Sequence, residues 1–127
     1  MTDYKEVYLA STRAYQARDI DAMMEHVTDD FSWYNIMPDG PSLLADSKEQ
    51  AKAGMQGVFE NLDYVSGHVE FVKTFGDMLV AVETDTIRQG EHEIALRRMS
   101  VYECSDGKLR RCWSFPIDED EQTDNSE

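Results

Sequence analysis

Two rhythms in the sequence predict an α+β fold, a twisted antiparallel sheet with helices packed on its concave face. Up to Leu62 the apolar side chains recur at helical spacing, and from Val65 onward they alternate with period two. Gly76, Gly90 and Gly107 punctuate the second half at the intervals that hairpin turns need.

The first helix opens at Asp3, a capping residue with Glu6 three positions on, and lines up Tyr4, Val7, Tyr8, Ser11 and Tyr15 on one face. A break at Arg18 follows. Asp19 caps a short second helix that turns Ile20, Met23, Met24 and Val27 inward and stops at Asp29-Asp30. The third helix begins with the capping box Ser47-Lys48-Glu49-Gln50 and buries Ala51, Met55, Val58, Phe59 and Leu62. Between the second and third helices runs an aromatic strand, Phe31-Ser32-Trp33-Tyr34-Asn35. The loop Ile36 to Pro41 comes next, where Pro and Gly oppose regular structure. Later strands are expected near Gly67 to Thr74, Met78 to Arg88, Glu91 to Glu103 and Leu109 to Phe115.

The size of 127 residues suits one domain that buries a core without staples, assigned to residues 1–117. The last ten residues, Asp118 to Glu127, hold six acids, no base and no apolar side chain, a composition that reads as a disordered tail. A net charge of −14 argues against nucleic acid or an anionic membrane as partner, since both demand clustered Lys and Arg. Neither a long apolar run nor a basic-then-apolar leader is read, so a cytoplasmic location is expected. Cys104 and Cys112 flank the turn Ser105-Asp106-Gly107-Lys108. Simple pairing about it sets Cys104 opposite Leu109 and Cys112 opposite Val101, so an internal disulfide is disfavoured. His26, His68 and His92 are scattered, no metal site is read, and no cofactor is expected.

Three marks carry a family resemblance: Ala17-Arg18-Asp19-Ile20-Asp21 between the first helices, Asp29-Asp30-Phe31 leading into Trp33, and Asp106-Gly107-Lys108-Leu109 before the last strand. In this order the chain resembles the nuclear transport factor 2-like superfamily, in its SnoaL-like and ketosteroid-isomerase-like branch. The resemblance implies a cone: a strongly curved antiparallel sheet wraps three N-terminal helices in a cystatin-like roll around an apolar cavity, commonly in a homodimer. It also implies a range of activities, among them isomerases, cyclases, dehydratases, epoxide hydrolases and non-catalytic carriers. Set against ketosteroid isomerases, the catalytic aspartate falls on Asn35 and the two oxyanion-binding groups on Ser11 and Met99, so that mechanism does not carry over. Limonene-epoxide hydrolases share only Asn35 of their Tyr-x-Asn pair. Their charged middle-strand residues fall near Thr84 and Thr86, and their last-strand acid near Ser114.

Side chains alternate along a strand, and Phe31, Trp33 and Asn35 are taken as inward. The resemblance to ketosteroid isomerases, matched by turn position, implies that Val80, Val82, Thr84, Thr86, Arg97, Met99, Cys112 and Ser114 face inward with them. The expected ligand contacts are Tyr15, Phe31, Trp33, Val82, Thr84, Met99, Cys112 and Ser114. Asn35 and Arg97 could polarise a carbonyl oxygen, and Asp39 or His26 could act as base. Tyr102, Trp113 and Phe115 are assigned to the outer face, where a second copy would cover them. The function expected is a small-molecule pocket protein, a cofactor-free isomerase, cyclase or lyase acting on an apolar cyclic or aromatic compound. The alternative is a non-catalytic hydrophobic-ligand-binding or dimerisation domain of the same fold.

Overall fold

The structure is a computed structural model that describes residues 2–117, so the acidic tail lies outside the described residues. Three helices precede or interrupt a six-stranded sheet: α1 Tyr4–Gln16, α2 Ile20–Met24, β1 Val27–Met37, β2 Gly40–Ala45, α3 Lys48–Asn61, β3 Asp63–Phe75, β4 Met78–Gln89, β5 His92–Ser105 and β6 Lys108–Ile117. The strand order is β2-β1-β6-β5-β4-β3. All neighbours are antiparallel except β1 and β6, whose parallel pairing joins the N-terminal hairpin to the C-terminal meander.

Each helix starts where a side chain satisfies an orphaned backbone N–H. Asp3 Oδ1 accepts from Lys5 N at 3.1 Å, Asp19 Oδ1 from Ala22 N at 3.1 Å, and Ser47 Oγ from Gln50 N at 3.1 Å. The break between α1 and α2 is Arg18 itself, in the left-handed region at φ 59°. A non-glycine residue holds that conformation only when something anchors it. Here the Arg18 guanidinium donates to the Tyr64 carbonyl and lies over the Tyr64 ring, 5.8 Å from its centroid. Val27 opens β1 instead of closing α2, yet is buried as expected.

Two stretches depart from expectation. The Ile36 to Pro41 segment is a hairpin: β1 runs on to Met37, Pro38 and Asp39 turn, and β2 returns with Met37 opposite Gly40 and Ile36 opposite Pro41. β2 is a sheet edge, where a residue without an N–H is tolerated. The second departure governs the site. Around the turn formed by Asp106 (φ 55°) and Gly107 (φ 79°), Ser105 pairs with Lys108 and Cys104 with Leu109, as simple counting gives. A bulge then shifts the register, so that Glu103 faces Arg111, Tyr102 faces Cys112 and Ser100 faces Ser114. Arg110 is the extra residue. The two consecutive arginines both bond the one carboxylate across from them: Arg110 Nη1 reaches Glu103 Oε2 at 2.9 Å and Arg111 Nη1 reaches Oε1 at 3.1 Å.

A one-residue slip turns every side chain to the other face. The concave face of β4 therefore carries Leu79, Ala81, Glu83, Asp85 and Ile87, and that of β5 carries Arg98, Ser100, Tyr102 and Cys104. With Tyr8, Met24, Val27, Phe31, Ala45 and Ala51, the inward apolar residues build the core between helices and sheet.

Candidate functional site

Where this core thins out, the inward residues of β1, β4, β5 and β6 and the facing sides of the three helices enclose a cavity of about 100 Å³. Its helical wall is adaptable and apolar, with Met23, Met24 and Met55, and Phe31 and Trp33 add aromatic surface from β1. Gly54 on α3 faces the Trp33 indole, and a Cβ there would be in ordinary contact with it, 3.5 Å from Cζ3.

The polar part is concentrated on β4 and β5. Glu83 and Asp85, two residues apart on one strand, share a face, which sets their Cα atoms roughly 7 Å apart. Arg98 is the direct cross-strand partner of Glu83. Taking these acids out of water is the dominant influence on both. Burial pushes Glu83 up to about 7; the negative charge of Asp85 raises it further and the guanidinium of Arg98 opposes. Asp85 is likewise raised by burial, against the opposing effects of Arg98 and the Tyr15 hydroxyl. Near neutral pH Glu83 is thus divided between acid and carboxylate, the condition in which a group gives or takes a proton readily.

Among the described residues Asp85 Oδ1 is buried without a hydrogen-bond partner, and so is the Tyr64 hydroxyl beside it. Gly67 on β3 gives both their space, since a Cβ at that position would collide with the Tyr64 hydroxyl and lie 2.9 Å from Asp85 Oδ1. Cys112 also lines the cavity, but burial pushes its thiol up to about 12, too high for a thiolate nucleophile at neutral pH. Both cysteines are free and buried. Among the described residues no group of three His, Cys, Asp or Glu is placed to hold a metal ion.

The residues singled out from sequence separate into three groups. Tyr15, Phe31, Trp33, Cys112 and Ser114 line the cavity. Val82, Thr84 and Met99 do not: the bulge turns them to the outer face, together with Val80, Thr86 and Arg97. Arg97 is held there by Glu70, with Nη2 to Oε1 at 3.0 Å, and Thr84 donates to the same carboxylate. Tyr102 moves the opposite way. It lies inside, its ring 5.5 Å from that of Tyr8, and only Trp113 and Phe115 of the proposed outer aromatic set remain on the outer face. Asn35 sits beyond the cavity in an adjoining groove, with Nδ2 3.2 Å from Met37 Sδ. Asp39 is exposed on the β1–β2 turn, away from the cavity, and His26 is half-buried at the start of β1, where its carbonyl accepts from Leu109 N. Asn35 and Arg97 both line that groove, and the structure brings neither Asp39 nor His26 to them. The charged groups that meet in the cavity are Glu83, Asp85 and Arg98, adjacent in sequence to the residues first chosen.

Residues 8–112 match the SnoaL-like domain family. The chain belongs to that family. Its SnoaL-like fold is shared at low identity by many solved structures. An NTF2-like protein of unknown function from Burkholderia pseudomallei superposes with a TM-score of 0.78 at 15% identity, covering 98% of this chain and 97% of that one. An epoxide hydrolase from M. tuberculosis, of the LEH-like type, gives 0.74 at 15% identity, covering 88% and 80%. A putative SnoaL-like polyketide cyclase from Mesorhizobium loti gives 0.70 at 19% identity, covering 89% and 98%. No curated protein matches the chain. A SnoaL-like fold hosts several chemistries, so activity has to be argued from Glu83, Asp85 and Arg98. Among the described residues no helix is long and apolar enough to cross a membrane.

Proposed function

We propose that this protein is a cofactor-free isomerase, cyclase or lyase that moves protons on an apolar cyclic or aromatic carbonyl compound. The observation that carries the reading is half-buried Glu83 and buried Asp85 facing one cavity, with Arg98 across the strand from Glu83. Two carboxyls in one apolar enclosure cannot both ionise cheaply, so one holds a proton while the other is charged. The ionised Asp85 takes a proton from the carbon next to the carbonyl, and protonated Glu83 gives one to the carbonyl oxygen. A neutral enol results, with Asp85 now protonated and Glu83 charged. Where a second double bond is conjugated with the enol, return of the hydroxyl proton to Glu83 and delivery of the Asp85 proton to the far carbon isomerises the compound. From the same enol, with its hydroxyl proton going back to Glu83, a β-substituent leaves with the Asp85 proton in elimination, or an internal carbonyl attacked by the enol carbon takes that proton as it becomes a hydroxyl in ring closure. Arg98 stabilises the oxygen as charge develops on it. A cytoplasmic location accords with two free, buried thiols.

Proton exchange tests this directly. With cyclic and aromatic ketones in deuterated water, NMR is expected to show deuterium entering the α-carbon, with Glu83→Gln and Asp85→Asn slowing it roughly 10²- to 10⁴-fold. Asp39→Asn, on the exposed turn, is expected to leave the rate unchanged. Saturable binding with no exchange in the unmodified protein would make it a non-catalytic carrier instead.

We also propose that two copies associate through the outer sheet face. Tyr34 and Trp113 stack there with centroids 6.5 Å apart, Phe115 lies alongside, and Phe71 and Phe75 on β3 are about half exposed at 49% and 56%. An apolar face of this kind is covered economically by its own copy across a two-fold axis. Trp113→Glu is expected to give monomers in sedimentation velocity; an unshifted dimer would remove this face as the interface.

A further inference from the structure

The cavity is small for a whole substrate, and its continuation says what the rest of that substrate is. At about 100 Å³ it falls well below the roughly 300–1,000 Å³ of sites that enclose drug-sized ligands, and is of the order that accepts a single small ring. It does not end blindly. Trp33, Arg98 and Ser114 also line a second, open groove of about 570 Å³. Beyond those three residues the groove is walled by Leu44 of β2, Val58 of α3, Ala95 and Leu96 of β5, and Pro116 and Ile117 of β6, with Asn35 and Arg97 as its polar members. Leu44 and Leu96 remain 44% and 39% exposed, so the chain leaves apolar surface uncovered directly outside its polar centre. Leu96 is the cross-strand partner of Asp85, which places the groove floor next to the carboxylate pair.

Building on the acid–base reading, we infer that the substrate is two-part: a compact ring in the inner cavity, a carbonyl at the neck beside Arg98, and an unbranched or flat apolar extension of several carbons in the outer groove. Arg98 has no ion-pair partner within 4 Å among the described residues, which leaves its guanidinium available to an oxygen at the neck. Trp33 lines both compartments. Binding energy from the extension is then available to hold the reacting carbon against the acids, the use to which remote contacts are put in catalysis.

A homologous series of phenyl n-alkyl ketones from acetophenone to octanophenone tests the inference, with affinity measured by calorimetry and α-proton exchange by NMR on the same samples. Burial of each added methylene is expected to tighten binding roughly three- to fourfold until the groove is filled. Leu44→Asn and Leu96→Asn, two partly exposed positions in separate strands, are each expected to flatten that dependence while circular dichroism reports an intact fold. Affinity independent of chain length in the unmodified protein would overturn the outer subsite, and would leave the acid–base reading standing if exchange still required Glu83. A steep dependence without any exchange would support the groove and reject the chemistry.

Discussion

Glu83→Gln is expected to stabilise the folded protein at pH 8 by roughly 3 kcal/mol and to leave its stability nearly unchanged at pH 4. The sign follows from where the proton is held. In the folded state burial and the charge of Asp85 lift Glu83 to about 7, while in the unfolded chain it titrates as an ordinary carboxyl near 4.5. Between those values the folded form binds the extra proton, so stability is full below about 4.5 and declines as pH rises through 7. Glutamine copies the protonated side chain and never ionises, so the variant escapes the decline. Urea unfolding midpoints measured across pH 4 to 8 would show the two curves converging at the acid end. Parallel curves would mean that Glu83 is not a desolvated acid, and would take the proposed proton donor with them. A group that costs stability in its resting state and returns it as reactivity is a common signature of a working site.

The parts of this fold that were legible in the sequence are those set by near neighbours. Asp3, Asp19 and Ser47 cap their helices because the partner N–H is two or three residues away, and Asp106-Gly107 turns because two consecutive residues accept a left-handed backbone. The cavity wall was not legible to the same degree. The parity of β5 relative to β6, and with it β4, depends on one extra residue at Arg110. That bulge is held by Arg110 and Arg111 converging on Glu103, with Arg110 Nε also 3.4 Å from Asp30 Oδ2 on β1. The hint present in the sequence was a pair of arginines opposite a single acid. Periodicity alone cannot weigh it, because Arg-Arg on a regular strand would put one side chain on each face. β2 was hidden for a related reason: Pro41, Ser42 and two exposed leucines carry no strand rhythm of their own, and only pairing with β1 makes them one. The loss of one register step moved the inward positions from Thr84 and Thr86 to Glu83 and Asp85, and so from a site without acids to a site built on two.

Arg98→Met is expected to have the opposite pH signature to the glutamine variant and the larger effect on turnover among changes to groups that carry no transferable proton. The guanidinium lowers the pKa of both Glu83 and Asp85. Without it both folded values rise further above their unfolded ones, so the fall in stability from pH 4 to pH 8 becomes steeper than in the unmodified protein. At pH 4 Glu83 is neutral and Arg98 remains a charge held partly out of water; methionine, similar in reach and without charge, relieves that cost. The stability curves of the two proteins should therefore cross, which a simple packing defect does not produce. In the exchange assay the rate at pH 7 should drop roughly 10²- to 10³-fold, as it does when a donor to a developing oxyanion is removed. The acid limb of the pH profile should move to higher pH along with Glu83 and Asp85. Arg98→Lys would keep the charge while losing the planar fork, so it should restore the pH limb more fully than the rate. If the limb stayed in place in Arg98→Met while the rate fell, Arg98 would be binding the substrate oxygen alone, without setting the protonation of the pair beneath it.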